Sequence, residues 1–243
     1  MRSEHLAIDG AVVSFEGSAN LSLRTTATGW AIVPSLLRAH PFTTYPAGHT
    51  TTVEQAVRSQ FPGIAISQTQ EFSIKNGRLR TAAIEMPAAT GGIRKLAVGG
   101  WEGPNGCLST SLVGEDIERL VEVFDTLKFS DTPRGIAIHS PVTARPRTPQ
   151  VVKEVPGLGI LTVRPAIAAE LERVPRARGF QLQNAELFRF GSKGNSLLVV
   201  TRSTVSSITP APGQSGVSEA GDLLHSVRDL KIEWKSSTRS ARQ

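Results

Sequence analysis

Residues able to carry acid–base, nucleophilic or metal chemistry are few in this chain and are scattered along it. The chain has five histidines and a single cysteine, Cys107, in 243 residues. No two histidines stand four residues apart, as a metal pair on a helix requires, and there is no His-Glu-x-x-His run. His40 and His49 share one loop that could bring them onto a metal, although exposed loop histidines are far commoner. The sequence therefore predicts no catalytic, metal or cofactor site.

The remaining patterns that resemble reactive sites also favour structural roles. Gly99–Gly106 is rich in glycine but lacks the Lys-Ser/Thr pair of a phosphate-binding loop, so we expect a strand end and a hairpin turn. Cys107 follows as a small buried side chain, and one cysteine excludes an internal disulfide or a cysteine-rich zinc site. If the chain is an enzyme, its site must be assembled from dispersed residues, of which the best candidates are His40, His49, Glu102 and Cys107.

Positive charge is concentrated in the second half of the chain. Residues 1–130 carry 11 Lys/Arg against 12 Asp/Glu, whereas residues 131–243 carry 16 against 9. Basic linkers and tails can dock on acidic surfaces or on nucleic acid. The candidate contacts for a partner or an anion are five arginines: Arg145, Arg147, Arg173, Arg176 and Arg178.

Nucleic acid is the less favoured partner for this basic half. Aromatic residues make up only 5% of the chain, and arginines do not alternate with Tyr or Phe as they do in single-strand binders. The cluster at 173–178 also follows a predicted helix, whose C-terminal end attracts cations through its dipole. We therefore expect another protein as the partner.

Two hairpins are predicted in the first half of the chain. The first turns at Asn76-Gly77, a dipeptide that tolerates the positive φ angles of a two-residue turn. The second turns at Asn105-Gly106. The strands that they join are Glu71–Lys75 with Arg78–Glu85, and Leu96–Trp101 with Leu108–Val113.

Apolar residues at helical spacing predict two helices around these hairpins. One begins at the capping box Thr51–Glu54 and ends before Phe61, and the other runs from Glu115 to Phe124. The second half repeats the plan in shorter form: strand Leu158–Arg164, a helix from Pro165 to near Pro175, hairpin strands Glu186–Phe190 and Leu197–Ser203, helix Ser218–Val227, and strand Leu230–Trp234.

The apolar pattern of the first half returns in the second, which indicates an internal repeat. The positions of Leu120–Phe129 return as Leu223–Ile232, with few identities. We therefore predict an α+β protein of two tandem modules, each an antiparallel sheet flanked by helices. The predicted boundaries are a first module at 1–130, a proline-rich linker at 131–150, a second module at 151–235 and a polar tail at 236–243.

This order of elements resembles the PsbP-like superfamily, whose fold is an α/β/α sandwich with an antiparallel sheet. The likeness is carried by Val53–Phe61, the hairpin at Phe72–Met86, Gly99-Gly100-Trp101 and Ile117–Phe129, and again by Phe188–Arg202 and Leu223–Ile232. The resemblance implies a tendency to bind other proteins without catalysis, and one branch consists of adaptor chaperones of bacterial type VI secretion. It implies no particular functional residue.

The expected function is that of a non-catalytic adaptor or chaperone-like scaffold in a bacterial secretion or assembly system. The acidic start and the lack of a long apolar run predict a cytoplasmic protein without a membrane span or a cofactor. Two alternatives stay open. The basic half could associate with nucleic acid, or the chain could be an enzyme with a dispersed site.

Overall fold

The computed structural model describes residues 2–17, 25–48, 53–87, 91–143, 147–156, 159–190, 196–210 and 227–236. Most of these residues lie in antiparallel strands. The strands of the first part of the chain are β1 (Arg2–Leu6), β2 (Val12–Glu16), β3 (Thr25–Val33), β4 (Arg38–Pro46), β5 (Ile66–Ile74), β6 (Gly77–Pro87), β7 (Ile93–Glu102), β8 (Gly106–Val113) and β9 (Phe129–Thr132). Those of the second part are β10 (Gly135–Ile138), β11 (Pro141–Val142), β12 (Gln150–Val155), β13 (Gly159–Pro165), β14 (Phe180–Gln181), β15 (Glu186–Phe190), β16 (Ser196–Val200), β17 (Thr204–Thr209) and β18 (Lys231–Lys235).

The predicted α+β class is wrong, because the described residues form a β-rich fold with few helical residues. The helices are α1 (Val53–Gln60), α2 (Ile117–Thr126) and the single turn α3 (Ala168–Leu171), with a 3₁₀ turn at Pro34–Leu36. Several strands, among them β1, β4 and β12, lie where the sequence predicts neither a strand nor a helix. The helix predicted after Pro165 makes only one turn. That helix has no side-chain cap at Ile167, and Pro175 disfavours helical geometry at the residue before it.

Strand β4 shows why a segment predicted to be a loop is a strand. Its buried residues alternate as His40, Phe42 and Thr44, which places all three on one face of the sheet. This period of two is the pattern of a half-buried strand. The proline and histidine in the segment hid that pattern, because both residue types are also common in loops.

Contacts divide the chain into two compact units. The first combines both ends of the chain, Met1–Gly29 and Thr143–Gln243, and the second is the continuous segment Trp30–Val142. The predicted module limits at 130 and 150 differ from the limits of these two units. Whether the predicted modules fold independently is not tested by this division, so they stay a prediction. The segment 131–150, predicted as a linker, contains β10 and β11.

The first unit has two antiparallel sheets around an apolar core. One sheet has the order β14-β15-β16-β17-β13-β12 and ends on residues 25–29 of β3, and the other has the order β1-β2-β18. Inward side chains alternate along each strand, as with Val13 and Phe15 of β2 or Ile232 and Trp234 of β18. The core therefore depends on strands from both ends of the chain. The predicted helix Ser218–Val227 lies outside the described residues except for Val227.

The second unit is a sheet with the order β4-β8-β7-β6-β5 that carries a helix on each face. Val57 of α1 packs against Ala82 and Ile84 of β6. Leu120 of α2 lies over Gly99 of β7, where a Cβ atom would stand 2.7 Å from a leucine methyl carbon. Asp116 caps α2 by accepting a hydrogen bond from the Arg119 N–H at 2.9 Å, so the helix predicted from Glu115 to Phe124 is confirmed.

Both predicted hairpins of this unit are confirmed, but the first turns one residue earlier than expected. Lys75 and Asn76 are the central residues, with φ angles of 51° and 58°, and Gly77 is already the first residue of β6. Glycine is therefore not needed at position 77 for a positive φ angle; it is needed because a larger residue would have no room there. A Cβ atom there would lie 2.5 Å from the Trp101 ring and 2.5 Å from the Glu102 carbonyl oxygen.

We predict that Gly77→Ala destabilises the protein by about 1–3 kcal/mol, since the added methyl group overpacks the space that Trp101 fills. Urea unfolding followed by circular dichroism measures the change. Asn76→Gly is the control, because glycine adopts the same positive φ without strain. Equal stability of Gly77→Ala and the wild type would show that the Trp101 side chain can move away at no cost.

Candidate functional site

The structure describes four of the five candidate arginines and brings three of them into one segment. Arg173, Arg176 and Arg178 are exposed between α3 and β14 in the first unit, whereas Arg147 is half-buried. Arg145 lies outside the described residues. The candidate site is therefore the stretch from Leu171 to Phe180, which we call the basic edge.

The basic edge begins where α3 ends. The Val174 N–H donates to the Leu171 carbonyl at 3.0 Å, and the Arg173 N–H donates to the Glu170 carbonyl at 3.1 Å. Pro175 has no N–H with which to continue this pattern. The chain therefore leaves the helical turn and bends again at Arg176 and Ala177 before it reaches β14.

Arg173 is held by a buried carboxylate. Glu170 is only 2% exposed, and its Oε2 lies 3.2 Å from Nη1 of Arg173 and 3.9 Å from Nε of Arg164. A buried carboxylate needs such partners, because its transfer out of water is otherwise very costly. Arg173 is thus already paired with a carboxylate of the protein itself. Arg176 and Arg178 are the two clustered arginines that can contact a partner.

The rest of the basic edge is fixed at two further points. Val174 packs against the apolar cluster of Phe188, Leu198 and Val205. The Gly179 N–H donates to Glu186 Oε1 at 2.7 Å, and Phe180 then pairs with Leu187 across β14 and β15. These anchors hold the backbone on the sheet and leave the side chains between them facing water.

The basic edge presents apolar as well as positively charged side chains. Phe180 is 63% exposed and Leu171 is 44% exposed, and Arg176 and Arg178 lie between them in the chain. Phe180 belongs to β14, the terminal strand of its sheet in the described residues. A large exposed aromatic ring on a sheet edge, beside two arginines, is typical of a surface that binds another molecule.

A groove of about 460 Å³ lies at the end of β14. It is lined by Leu182–Ala185, by Glu16 and Gly17, and by Arg228–Lys231, all in the first unit. Glu16 and Lys231 face each other across 3.7 Å. The groove therefore has both signs of charge and gives an extended ligand room to continue past Gln181.

Of the residues proposed for a dispersed enzyme site, the three that the structure describes are not arranged as a nucleophile and its base. His40 is buried and shares a 2.8 Å hydrogen bond with Thr110, and burial lowers the pKa of His40. Cys107 stands opposite Glu102 in the register of β7 and β8. Burial and the nearby carboxylates of Glu102 and Asp131 raise the pKa of Cys107 to about 11, so its thiol stays protonated at neutral pH. His49 lies outside the described residues.

The sequence analysis missed a buried polar cluster at Lys153. This side chain is fully buried, and its Nζ lies 3.2 Å from His5 Nε2 and 3.2 Å from Thr25 Oγ1. Nζ also stands 5.5 Å from the centre of the Phe15 ring, within the range of a cation–π contact. The alternation Val151, Lys153, Val155 was the available signal, because it places the lysine on the inward face of β12.

Burial controls the charges in this cluster. It lowers the pKa of Lys153 to about 8. Burial, with the neighbouring Lys153 charge, lowers the pKa of His5 to about 4. At pH 7 the ammonium is therefore charged and donates hydrogen bonds to a neutral imidazole. A lysine can act as the general base for a hydroxyl nucleophile, as in hydrolases with a Ser-Lys pair, but the complete burial of Lys153 favours a structural role.

Comparisons of the chain with protein-family models, with curated proteins and with solved structures gave no match. The PsbP-like relationship therefore stays a prediction. No group of three or more His, Cys, Asp or Glu side chains is placed to bind a metal in the residues that the structure describes. Within the same residues, no helix has the length and apolar character needed to cross a membrane.

We predict that His5 makes the protein less stable as the pH falls from about 6.5 to about 4. Its folded pKa of about 4 lies below the unfolded value of 6.5, so the unfolded state binds the proton more readily in this range. His5→Gln keeps a hydrogen-bond acceptor but does not titrate. Urea unfolding at pH 7 and pH 4.5 should show a loss in the wild type that is about 1–3 kcal/mol larger than in the variant. Equal losses would contradict this assignment.

Lys153 should change the stability of the protein in the alkaline pH range. Its pKa is about 8 when folded and 10.5 when unfolded, so the wild type gains stability as the pH rises from about 8 to 10.5. Lys153→Met removes this gain, whereas Lys235→Met, at an exposed position of β18, keeps it. Unfolding curves at pH 7.5, 9 and 10 measure the difference. A wild-type slope that persists in Lys153→Met would assign the titration to another group.

Proposed function

We propose that the chain is a non-catalytic adaptor that binds an acidic, extended segment of another protein along the basic edge. The observation that carries this proposal is the exposure of Phe180 beside Arg176 and Arg178 on a backbone that is fixed to the sheet. Phenylalanine and arginine are both enriched in protein interfaces relative to the rest of the surface, and arginine is also among the residues that most often dominate the binding energy.

The chemistry of these side chains fits a segment with carboxylates and an apolar residue. A guanidinium group pairs with a carboxylate through two parallel hydrogen bonds, and Phe180 offers a flat apolar contact two residues after Arg178. Because Val174 and Gly179 already fix the backbone, little conformational entropy is lost on binding.

The wider role that we propose is that of an adaptor or chaperone-like scaffold in a bacterial secretion or assembly system, in the cytoplasm. This part rests on the resemblance to the PsbP-like superfamily. A segment recognised by charge and one apolar anchor suits that role, because an adaptor must hold its client without altering it. The ligand would then be an acidic terminus or linker of the client.

Nucleic acid is the second candidate ligand for the same surface. An exposed aromatic ring beside arginines can stack on a base while the guanidinium groups contact phosphates. The two ligands differ in salt dependence, because each phosphate contact releases counterions and steepens the loss of affinity with salt. They also differ in their response to nuclease.

We predict that the double variant Arg176→Glu, Arg178→Glu loses at least about tenfold of its affinity for the protein partner, since each arginine that contacts a carboxylate contributes about 1 kcal/mol or more. Tagged wild-type protein and variant are used as baits in a lysate of the source cells, at moderate salt and after nuclease treatment. The double variant Arg38→Glu, Arg94→Glu is the matched control, since it reverses two exposed arginines of the second unit.

The expected result is a discrete protein that the wild type and the control retain and the basic-edge variant loses. A ligand that disappears on nuclease treatment would favour nucleic acid. A protein retained equally by all three baits would show that the basic edge is not the binding site. Titration of the wild type with a fluorescent single-stranded DNA between about 0.05 and 0.2 M salt then gives the number of phosphate contacts from the slope.

A further inference from the structure

Strand β5 forms a long open edge in the second unit. It spans nine residues, Ile66–Ile74, and pairs on one side with β6. In the residues that the structure describes, no strand lies on its other side. Ser67, Thr69, Glu71 and Ser73 are exposed along it. The β5 edge belongs to the second unit, whereas the basic edge belongs to the first.

The open edge of β5 has few of the devices that normally prevent edge-to-edge pairing. Such edges are usually short, or carry lysine or proline, and β14 is an example of the first kind with two residues. Strand β5 has no lysine or proline. Its one charged residue, Glu71, is bound by Arg80 of β6 at 3.0 Å, and its one irregularity is a bulge between Ile66 and Gln68. The edge is therefore suited to pairing.

The hairpin geometry shows which backbone groups of β5 point outward. The two-residue turn closes on the pair Ile74 and Gly77, and hydrogen-bonded pairs then alternate along the ladder. Phe72 and Gln70 therefore point their backbone groups at β6. In agreement, the Gln70 carbonyl accepts a hydrogen bond from Thr81 Oγ1 of β6 at 3.3 Å. The backbone groups of Thr69, Glu71 and Ser73 point away from the sheet.

The sequence of β5 is self-complementary about Gln70. In an antiparallel pair of two copies with the two-fold axis at Gln70, Thr69 stands opposite Glu71 and Ser67 stands opposite Ser73. Thr69 and Glu71 both point their backbone groups away from β6, so the outward groups of one copy meet those of the other. Ser67 lies in the bulge between Ile66 and Gln68, which interrupts the alternation there, so the ladder rests on the pairs around Gln70. An axis at Glu71 would set two carboxylates face to face, and one at Thr69 would carry Ser73 past the end of the partner strand.

We propose that a second copy of the chain pairs with β5 along this open edge, in an antiparallel ladder whose two-fold axis passes through Gln70. The contact is isologous, so it closes after two copies and does not continue into a fibre. The interface is small, since it rests on one strand from each copy. We therefore expect a weak dimer with a Kd of about 10–100 µM.

Sedimentation analysis of Thr69→Pro and Thr69→Val tests the ladder. Proline removes an N–H that points away from β6, so the hairpin keeps its own hydrogen bonds, and the far-ultraviolet circular dichroism and melting temperature should stay near those of the wild type. The wild type and Thr69→Val should dimerise with similar Kd values, and Thr69→Pro should weaken dimerisation at least about tenfold. A wild type that stays monomeric up to about 500 µM overturns the proposal and leaves the edge to a strand of another protein.

Disulfide cross-linking tests the register independently of proline. At the two-fold axis the two Gln70 residues form a non-hydrogen-bonded pair with Cα atoms about 4.5 Å apart, which is within the range of a disulfide. Under mild oxidation Gln70→Cys should give a covalent dimer faster than Gln68→Cys, whose counterpart is Phe72. The natural Cys107 is buried, so the wild type, which carries this cysteine alone, gives the background rate of cross-linking. Equal rates for the two variants would overturn the proposed register.

Discussion

Trp101 occupies a space that exists only because two glycines near it have no side chain. A Cβ atom at Gly77 would lie 2.5 Å from the indole ring, and one at Gly103 would lie 2.1 Å from it. The indole N–H donates to the Ile74 carbonyl at 2.8 Å, and the ring meets Phe129 edge-on with 4.8 Å between centroids. This single side chain joins the ends of β5, β6 and β7 to β9.

The first unit accommodates buried charge in two different ways. Glu170 keeps a full opposite charge nearby in Arg164 and Arg173, so its burial has little effect outside that cluster. Lys153 lies instead beside His5 and Thr25, and burial shifts the titration of both the lysine and the histidine toward lower pH. The first arrangement fixes the start of a surface segment. The second couples the core to pH, because the protonation of two buried groups differs between the folded and unfolded states.

Local sequence signals predicted the elements that depend on local chemistry. The hairpins of the second unit and helix α2 follow from turn dipeptides, a capping residue and apolar spacing, which act within a few residues. The fold class depended on strands such as β4, whose alternation was obscured by proline and histidine. The clustered arginines were visible in the sequence, but the attachment of Arg173 to Glu170 was not, because Glu170 was not expected to be buried. Lys153 was missed because the sequence analysis predicted no strand over Gln150–Val155, so the place of the lysine between Val151 and Val155 was not recognised as an inward position.

The first unit is built from both ends of the chain, and this determines the order in which it can form during synthesis. Strand β2 pairs with β18, so Glu16 must find Lys231 across more than two hundred residues of chain. Contacts so distant in sequence slow folding, because the loop must close before they form. The second unit is continuous and can fold while the chain is still on the ribosome. At that stage the apolar faces of β1 and β2 are still uncovered. A nascent chain of this protein therefore exposes its N-terminal hairpin to chaperones and to aggregation until the strands of the facing sheet have been translated, and β2 lacks its second neighbour until β18 follows.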